Sequence, residues 1–257
     1  MQLHHKGLTV TIDKGELTGF TREGYQFIHQ KGTPGWGSSD TEMFPIIGPT
    51  AKAHFKVKTP RGEAVMDQHG LYRELEYTLE EHTDTLAIFV KRYKANDTVK
   101  NSKYPKKSTE EWLHWPYDFE VKKSFTLEPD RLKVNFEINA VKDMPFMLGY
   151  HPAFMIHGDA ATVITNEEII PLGNVMAVGD RAYHVPGCTS ITLRDKEEIE
   201  LTTQGFRDFM LWSPTSNMIC IEPITFYPYA VAQTHLDEGF QTLHSGPGTF
   251  TITLRPL

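Results

Sequence analysis

The stretch Phe119-Glu120-Val121-Lys122-Lys123-Ser124-Phe125-Thr126-Leu127 decides the fold class, together with the turn Glu128-Pro129-Asp130 and the run Val134, Phe136 and Ile138 that follows it. The second run alternates with Lys133, Asn135, Glu137 and Asn139. Apolar residues at every second position give a pleated strand one apolar face and one wet face. The same period recurs outward from this pair: Phe55 and Val57; Leu75, Tyr77 and Leu79; Ile191 and Leu193; Ile199 and Leu201; Phe250, Ile252 and Leu254. Turn signals such as Thr59-Pro60-Arg61-Gly62 and Ser245-Gly246-Pro247-Gly248 separate the runs. No segment carries a long 3.6-residue stripe. The best helical stretch is 108–113, where Ser108-Thr109-Glu110-Glu111 offers a hydroxyl cap and a carboxylate before Pro116 stops the chain. The reading is all-β and antiparallel, with few or no helices and a single domain over 1–257.

Composition narrows the function. The 257 residues carry 26 basic and 33 acidic side chains, a net charge of −7, which repels phosphate backbones and anionic lipid. Neither a nucleic-acid partner nor a membrane partner is expected. The first residues lack the apolar run of a signal peptide and no stretch reaches 18 apolar residues, so a cytoplasmic location is expected. Cys188 and Cys220 read as reduced, small hydrophobic residues. Within this acidic chain, residues 91–107 hold Lys91, Arg92, Lys94, Lys100, Lys103, Lys106 and Lys107 against Asp97 alone. A solvated loop is the plain reading of such a run, and an anion contact is the sharper one.

Of the twelve histidines, only His4 and His5 lie within five residues of each other, which removes the usual zinc spacings. There is no Cys-x-x-Cys and no Gly-x-Ser-x-Gly, and Gly32-Thr33-Pro34-Gly35-Trp36-Gly37 lacks the Lys of a phosphate loop. No metal and no organic cofactor is expected.

Three segments carry side chains suited to proton chemistry. His69-Gly70-Leu71-Tyr72-Arg73 places an imidazole in a turn before an alternating run. Gly149-Tyr150-His151-Pro152-Ala153-Phe154 sets a second imidazole in apolar surroundings, held extended by the proline that follows it. Met218-Ile219-Cys220-Ile221-Glu222-Pro223 runs four apolar residues into a carboxylate, whose burial would make it a base of tunable pKa. Each alone has a plain counterpart: a turn histidine, a core histidine, a strand-end glutamate.

In this order, and with Phe44-Pro45-Ile46-Ile47-Gly48 and Leu211-Trp212-Ser213-Pro214, the three motifs resemble the aldose 1-epimerase family, the galactose mutarotase-like proteins, in its shorter bacterial branch. The resemblance implies a large antiparallel β supersandwich with a sugar cleft on a concave face. It implies Glu222 as general base, His151 as general acid toward the ring oxygen, and His69 and Arg73 as substrate-binding residues. The substrate would be an aldose or sugar phosphate whose α and β anomers are interconverted. The residue types suit that chemistry independently, because opening a hemiacetal takes one proton from the anomeric hydroxyl and gives one to the ring oxygen. Trp36, Trp212, Phe226 and Tyr227 are candidates to stack on the sugar. Two departures stand out. Many relatives carry arginine where this chain has Pro49, and the substrate-binding aspartate of better-known mutarotases cannot be assigned among Asp180, Asp195 and Asp208. They motivate a second reading, a non-catalytic carbohydrate-binding or sensor protein. A hydrolase would need two carboxylates, and only Glu222 is nominated.

Overall fold

The alternating stretch lies inside a nine-stranded antiparallel sheet, third from one edge. In this computed structural model, which describes residues 1–243 and 246–257, Phe119–Leu127 pairs with Leu132–Ala140 in unbroken register from Phe119 opposite Ala140 to Leu127 opposite Leu132. The sheet order is Ile169–Pro171, Thr162–Ile164, Ser190–Arg194, Glu198–Gln204, Gly248–Pro256, Leu132–Ala140, Phe119–Leu127, Leu86–Tyr93 and Thr78–His82. Every run read as alternating from Phe119 onward lies in this sheet. Ser245, which opens the last expected turn, lies outside the described residues.

A second, six-stranded sheet holds Tyr183–Val185, Asp208–Trp212, Met218–Ile224, Gly149–Tyr150 and Glu42–Met43, with Ala153–Met155 also pairing Met218–Ile224. Met218–Ile224 at its middle is buried on both faces, which is why it reads as a nearly continuous apolar run. Ile219 and Ile221 join Phe125, Phe136 and Tyr150 in the main core, while Met218, Cys220, Glu222 and Ile224 turn the other way. Truncating a core residue such as Ile221 to Ala costs about 2–5 kcal/mol. That opposite face carries the site.

Three expectations need correction. Residues 108–113 form no helix; Trp112–Leu113 pairs with Val99–Lys100, and Ser108 Oγ accepts only the Glu110 N–H (3.2 Å). With one turn of sequence before Pro116, pairing satisfies the backbone better than a helix could. The one α-helix among the described residues is Leu172–Val178. Leu75 and Tyr77 precede the strand they were read into, since Tyr72–Glu74 is a 3₁₀ turn and pairing starts at Thr78. Thr78–His82 is the sheet edge, and Leu79 on it is 45% exposed. The basic run is no uniform solvated loop either: Lys91 is buried, with its ammonium on the Tyr72 carbonyl (3.0 Å) and over the Tyr77 ring.

One residue breaks the alternation that defines the fold. Lys123 lies on the apolar side of Phe119–Leu127 and is fully buried, donating to Asp40 Oδ2 (2.7 Å) and Glu42 Oε1 (2.6 Å). The Tyr150 hydroxyl donates to the same Asp40 oxygen (2.7 Å). Thr41, between the two acids, exchanges backbone hydrogen bonds with His151, His151 N donating at 2.8 Å and Thr41 N at 3.3 Å. An ion cluster between the sheets thus ends one peptide away from a candidate catalytic group.

Candidate active site

The three motifs converge. Met218–Ile224 pairs through Glu222 with Met210 of Asp208–Trp212, and through Cys220 with Ala153, so the chain after His151 lies beside the strand of Glu222. His151 Nε2 stands 3.3 Å from Glu222 Oε1, with the two residues 6% and 1% exposed. Trp36 stacks on the His151 imidazole at 4.4 Å between ring centroids, and Trp212 and His69 meet it edge-on at 6.1 and 5.8 Å. These groups floor a cleft of about 560 Å³, with Arg73, Lys103, Lys107 and Asp180 on its walls.

The turn that presents His69 is conformationally demanding. His69 and Gly70 both have φ of +74°, and a Cβ on Gly70 would stand 2.2 Å from the Phe44 carbonyl oxygen, so only glycine fits there. The strained His69 backbone is pinned by His69 O accepting from Phe44 N (3.1 Å). Its ring Nδ1–H donates to Ile47 O (2.6 Å), which leaves Nε2 as acceptor, 3.3 Å from the Gln68 amide nitrogen.

Burial governs the electrostatics. It pushes Glu222 well above the usual carboxylate range, against the opposing pull of Arg73. Burial, reinforced by Arg73, brings His151 down to about 3 and holds His69 well below the usual imidazole value. Both members of the pair are driven toward their neutral forms, a state in which they hold one proton between them. His151 Nδ1 is buried without a hydrogen-bond partner, an unmet demand in the floor of the cleft. Arg73 is also drawn below its ordinary value by burial, and among the described residues its guanidinium makes no hydrogen bond and no ion pair.

His151, Glu222 and Cys220 bring ligand atoms within 4.8 Å of one another, a set that could hold a metal ion. Burial and the neighbouring Glu222 push the Cys220 thiol well above its usual value, and a protonated thiol is a weak ligand.

A family model described as aldose 1-epimerase matches residues 51–249. The chain belongs to the aldose 1-epimerase family. Among curated proteins it is similar to Protein LacX, chromosomal, of Lactococcus lactis subsp. lactis, at 24% identity over 164 residues, 60% of this chain and 50% of that protein. The chain spans about half the length of the curated relatives it matches. Two crystal structures share its fold. A galactose mutarotase-like protein from Lactobacillus casei superposes with a TM-score of 0.78 at 18% identity, covering 100% of this chain and 99% of that one. A galactose mutarotase related enzyme from Lactobacillus acidophilus gives 0.79 at 17%, covering 100% and 97%.

Set against the family pattern, the four residues carried over by motif, His69, Arg73, His151 and Glu222, line one cleft. Trp36 and Trp212 line it too, whereas Tyr227 stacks on His184 at 4.0 Å and Phe226 packs beside Ile224 and Leu236. Of the three aspartates left unassigned, Asp180 alone reaches the cleft. Asp195 accepts from the His157 and Gly158 N–H groups (2.6 and 2.9 Å), and Asp208 accepts from Gly187 N (2.9 Å). Lys103, Lys107, Gln68 and Tyr229 also line the cleft. The basic run had signalled the two lysines; Tyr229 and Gln68 had no signal beyond nearness to a motif. No helix among the described residues is long and apolar enough to cross a membrane.

Proposed function

We propose that this chain, acting as one domain, is an aldose 1-epimerase in activity as well as in family, with Glu222 and His151 as its acid–base pair. The observation that carries the reading is the pair itself: a carboxyl and an imidazole 3.3 Å apart, nearly free of water, at the foot of a cleft flanked by Trp36 and Trp212. Anomerisation needs one proton removed at the anomeric hydroxyl and one delivered at the ring oxygen. A pair that shares a single proton has one acid and one base in either of its tautomers. When the sugar enters, the anomeric hydroxyl gives its proton to the basic member as the ring oxygen takes one from the acidic member, and the ring C–O bond breaks. The aldehyde turns about its C1–C2 bond and the two groups exchange roles to close the ring on the other face. His69, held neutral with Nε2 as acceptor beside the Gln68 amide, and Arg73, a donor fork, bind oxygen atoms of the sugar.

The test is the rate of α-to-β exchange measured by magnetisation transfer on a panel of free and phosphorylated aldoses. Each of Glu222→Gln and His151→Asn is expected to lose about 10²- to 10⁴-fold in rate. Because the one-proton state extends down to the lower titration, His151 at about 3, the rate should not fall as pH drops to roughly 4. An acid limb near 6.5 would contradict the buried-pair account. The second reading, a sensor that binds sugar without turnover, rests on Pro49, which lines the cleft and offers no donor. Tight sugar binding with no acceleration across the panel would establish it.

A further inference from the structure

The imidazole of His151 lacks a support that proton-transfer histidines ordinarily have. Such a ring is oriented by a hydrogen bond at the nitrogen turned away from the reaction. Among the described residues His151 Nδ1 has no partner of that kind. The plane of the ring is set by a stack instead. The Trp36 indole lies against it at 4.4 Å between centroids and 29° between planes, and the Trp36 backbone N–H donates to Met218 Sδ (3.2 Å) on the strand of Glu222.

Trp36 belongs to the glycine-rich stretch 32–37, and the loop that carries it is fastened beside His151. His29 N donates to Ala153 O (2.9 Å), Ala153 N donates to Ser39 O (2.8 Å), and Ser39 Oγ donates to His29 O (2.8 Å). Both ends of the segment 29–39 therefore close on a residue two positions after His151. Residues 31–35 are exposed, yet His29 at the root of the loop is fully buried and takes no part in the acid–base chemistry. Its Nε2 meets Trp36 O at 2.9 Å, and because a carbonyl only accepts, Nε2 carries the proton. Its Nδ1 meets Thr33 Oγ1 at 3.3 Å. Burying an imidazole costs stability that its hydrogen bonds must offset, and what these bonds hold is the backbone of Trp36. Gly35, just before it, has φ of +118°, and a Cβ there would stand 2.6 Å from Met218 Sδ.

Building on the proposed epimerase activity, we infer that His29 is a positioning residue: it holds Trp36 against His151, and the indole plane does for this imidazole what a hydrogen-bonded carboxylate does for others, keeping Nε2 turned toward Glu222 and the sugar. One face of Trp36 is thereby taken by the imidazole. That face also attracts the ring whenever it carries a proton. An imidazole free to turn would aim Nε2 correctly for only part of the time, and such a loss of aim lowers the rate of proton transfer without lowering affinity for the sugar.

The experiment sets His29→Leu beside His29→Gln, whose amide can still donate to the Trp36 carbonyl, and Trp36→Leu beside Trp36→Phe, which keeps an aromatic face. Two quantities are read in each: kcat and KM for whichever aldose of the panel exchanges fastest, and the heteronuclear relaxation of the His151 imidazole, which reports whether the ring is held. His29→Leu and Trp36→Leu should each lower kcat by roughly 10- to 100-fold with KM nearly unchanged, and the ring should become mobile. His29→Gln and Trp36→Phe should restore most of the rate and a held ring. A raised KM at unaltered kcat in Trp36→Leu would make the indole a platform for the sugar, and a ring still held in His29→Leu would break the link between the two histidines. Either result overturns the inference and leaves the epimerase reading standing. If His29→Leu does not fold, Gly35→Ala pushes the loop off Met218 instead and must give the same loss of kcat and the same mobile ring. If the unaltered protein accelerates no sugar, the epimerase reading fails and the relaxation alone decides: a ring held in the unaltered protein and freed in His29→Leu supports the orienting contact, and a ring that behaves alike in both ends it.

Discussion

Two clusters of buried ionisable groups lie within a few residues of each other, and they are built on opposite plans. Between the sheets, Lys123 meets Asp40 and Glu42 at 2.7 and 2.6 Å, and Tyr150 adds a further hydrogen bond to Asp40. Burial pushes Asp40 up to about 6 against the pull of Lys123, and Glu42 feels the same burial. Glu42, which also faces Lys91, ends below the usual carboxylate range. In the cleft, burial drives Glu222 and His151 toward their neutral forms 3.3 Å apart, and among the described residues neither His151 Nδ1 nor the Arg73 guanidinium has a hydrogen-bond partner. The paired cluster fixes the backbone on which His151 sits. The unpaired one leaves hydrogen-bonding capacity unmet, the pattern expected of buried groups that meet a ligand, and the difference is the physical basis for the proposed acid–base pair.

That contrast can be broken by substitution. Lys123→Met leaves two carboxylates buried beside an apolar side chain and is expected to cost about 3–5 kcal/mol in denaturant unfolding. The triple change Lys123→Met, Asp40→Asn, Glu42→Gln removes the charges together and should recover most of that loss. If the triple variant is as unstable as the single one, the cluster acts by shape and not by charge. Gly70→Ala comes next, at about 1–3 kcal/mol, because a Cβ there meets the Phe44 carbonyl at 2.2 Å in a left-handed turn. Its sugar KM should rise with the displacement of His69.

Glu222→Gln should move stability the other way. The folded pKa of Glu222 is raised, so the stability linked to its proton is complete at low pH and is lost as pH rises through that folded value. Glutamine mimics the protonated acid. The variant should match the unaltered protein near pH 4 and exceed its melting temperature increasingly as pH rises above the ordinary carboxylate value of 4.5, while the proposed epimerase rate collapses. A variant less stable at every pH would show that the carboxylate is matched in the folded state after all.

The nine-stranded sheet was legible because a half-buried strand writes its two faces into alternate residues, as Leu132–Ala140 does. The site motifs were legible as residue types in order, and the cleft gathers them. The partners of Lys123 were not, since Asp40 and Glu42 lie about 80 positions away and a lysine at an apolar position looks like an interruption. The segment 108–113 misled because its cap chemistry is real, with Ser108 Oγ accepting an N–H, whereas the pairing of Trp112 with Lys100 is non-local. The basic run divided three ways, Lys91 into the core, Lys103 and Lys107 onto the cleft wall, and Arg92 onto the sheet surface. Charge alone carries no information about which wall a side chain will reach.

Arg92 supplies the smallest effect and the sharpest control. It donates to Glu80 at 2.8 Å and to Glu120 at 2.6 Å, nearly the same two-carboxylate geometry that Lys123 has, but on the exposed face of the nine-stranded sheet. Water solvates all three partners when the contact breaks, and salt screens what attraction is left. Arg92→Ala should therefore leave the unfolding midpoint where it is, at low and high salt alike, while Lys123→Met shifts it strongly at both. Equal losses for the two would mean that ion-pair geometry, and not burial, sets the energetics. The distinction drawn between the paired cluster and the cleft would then lose its physical basis.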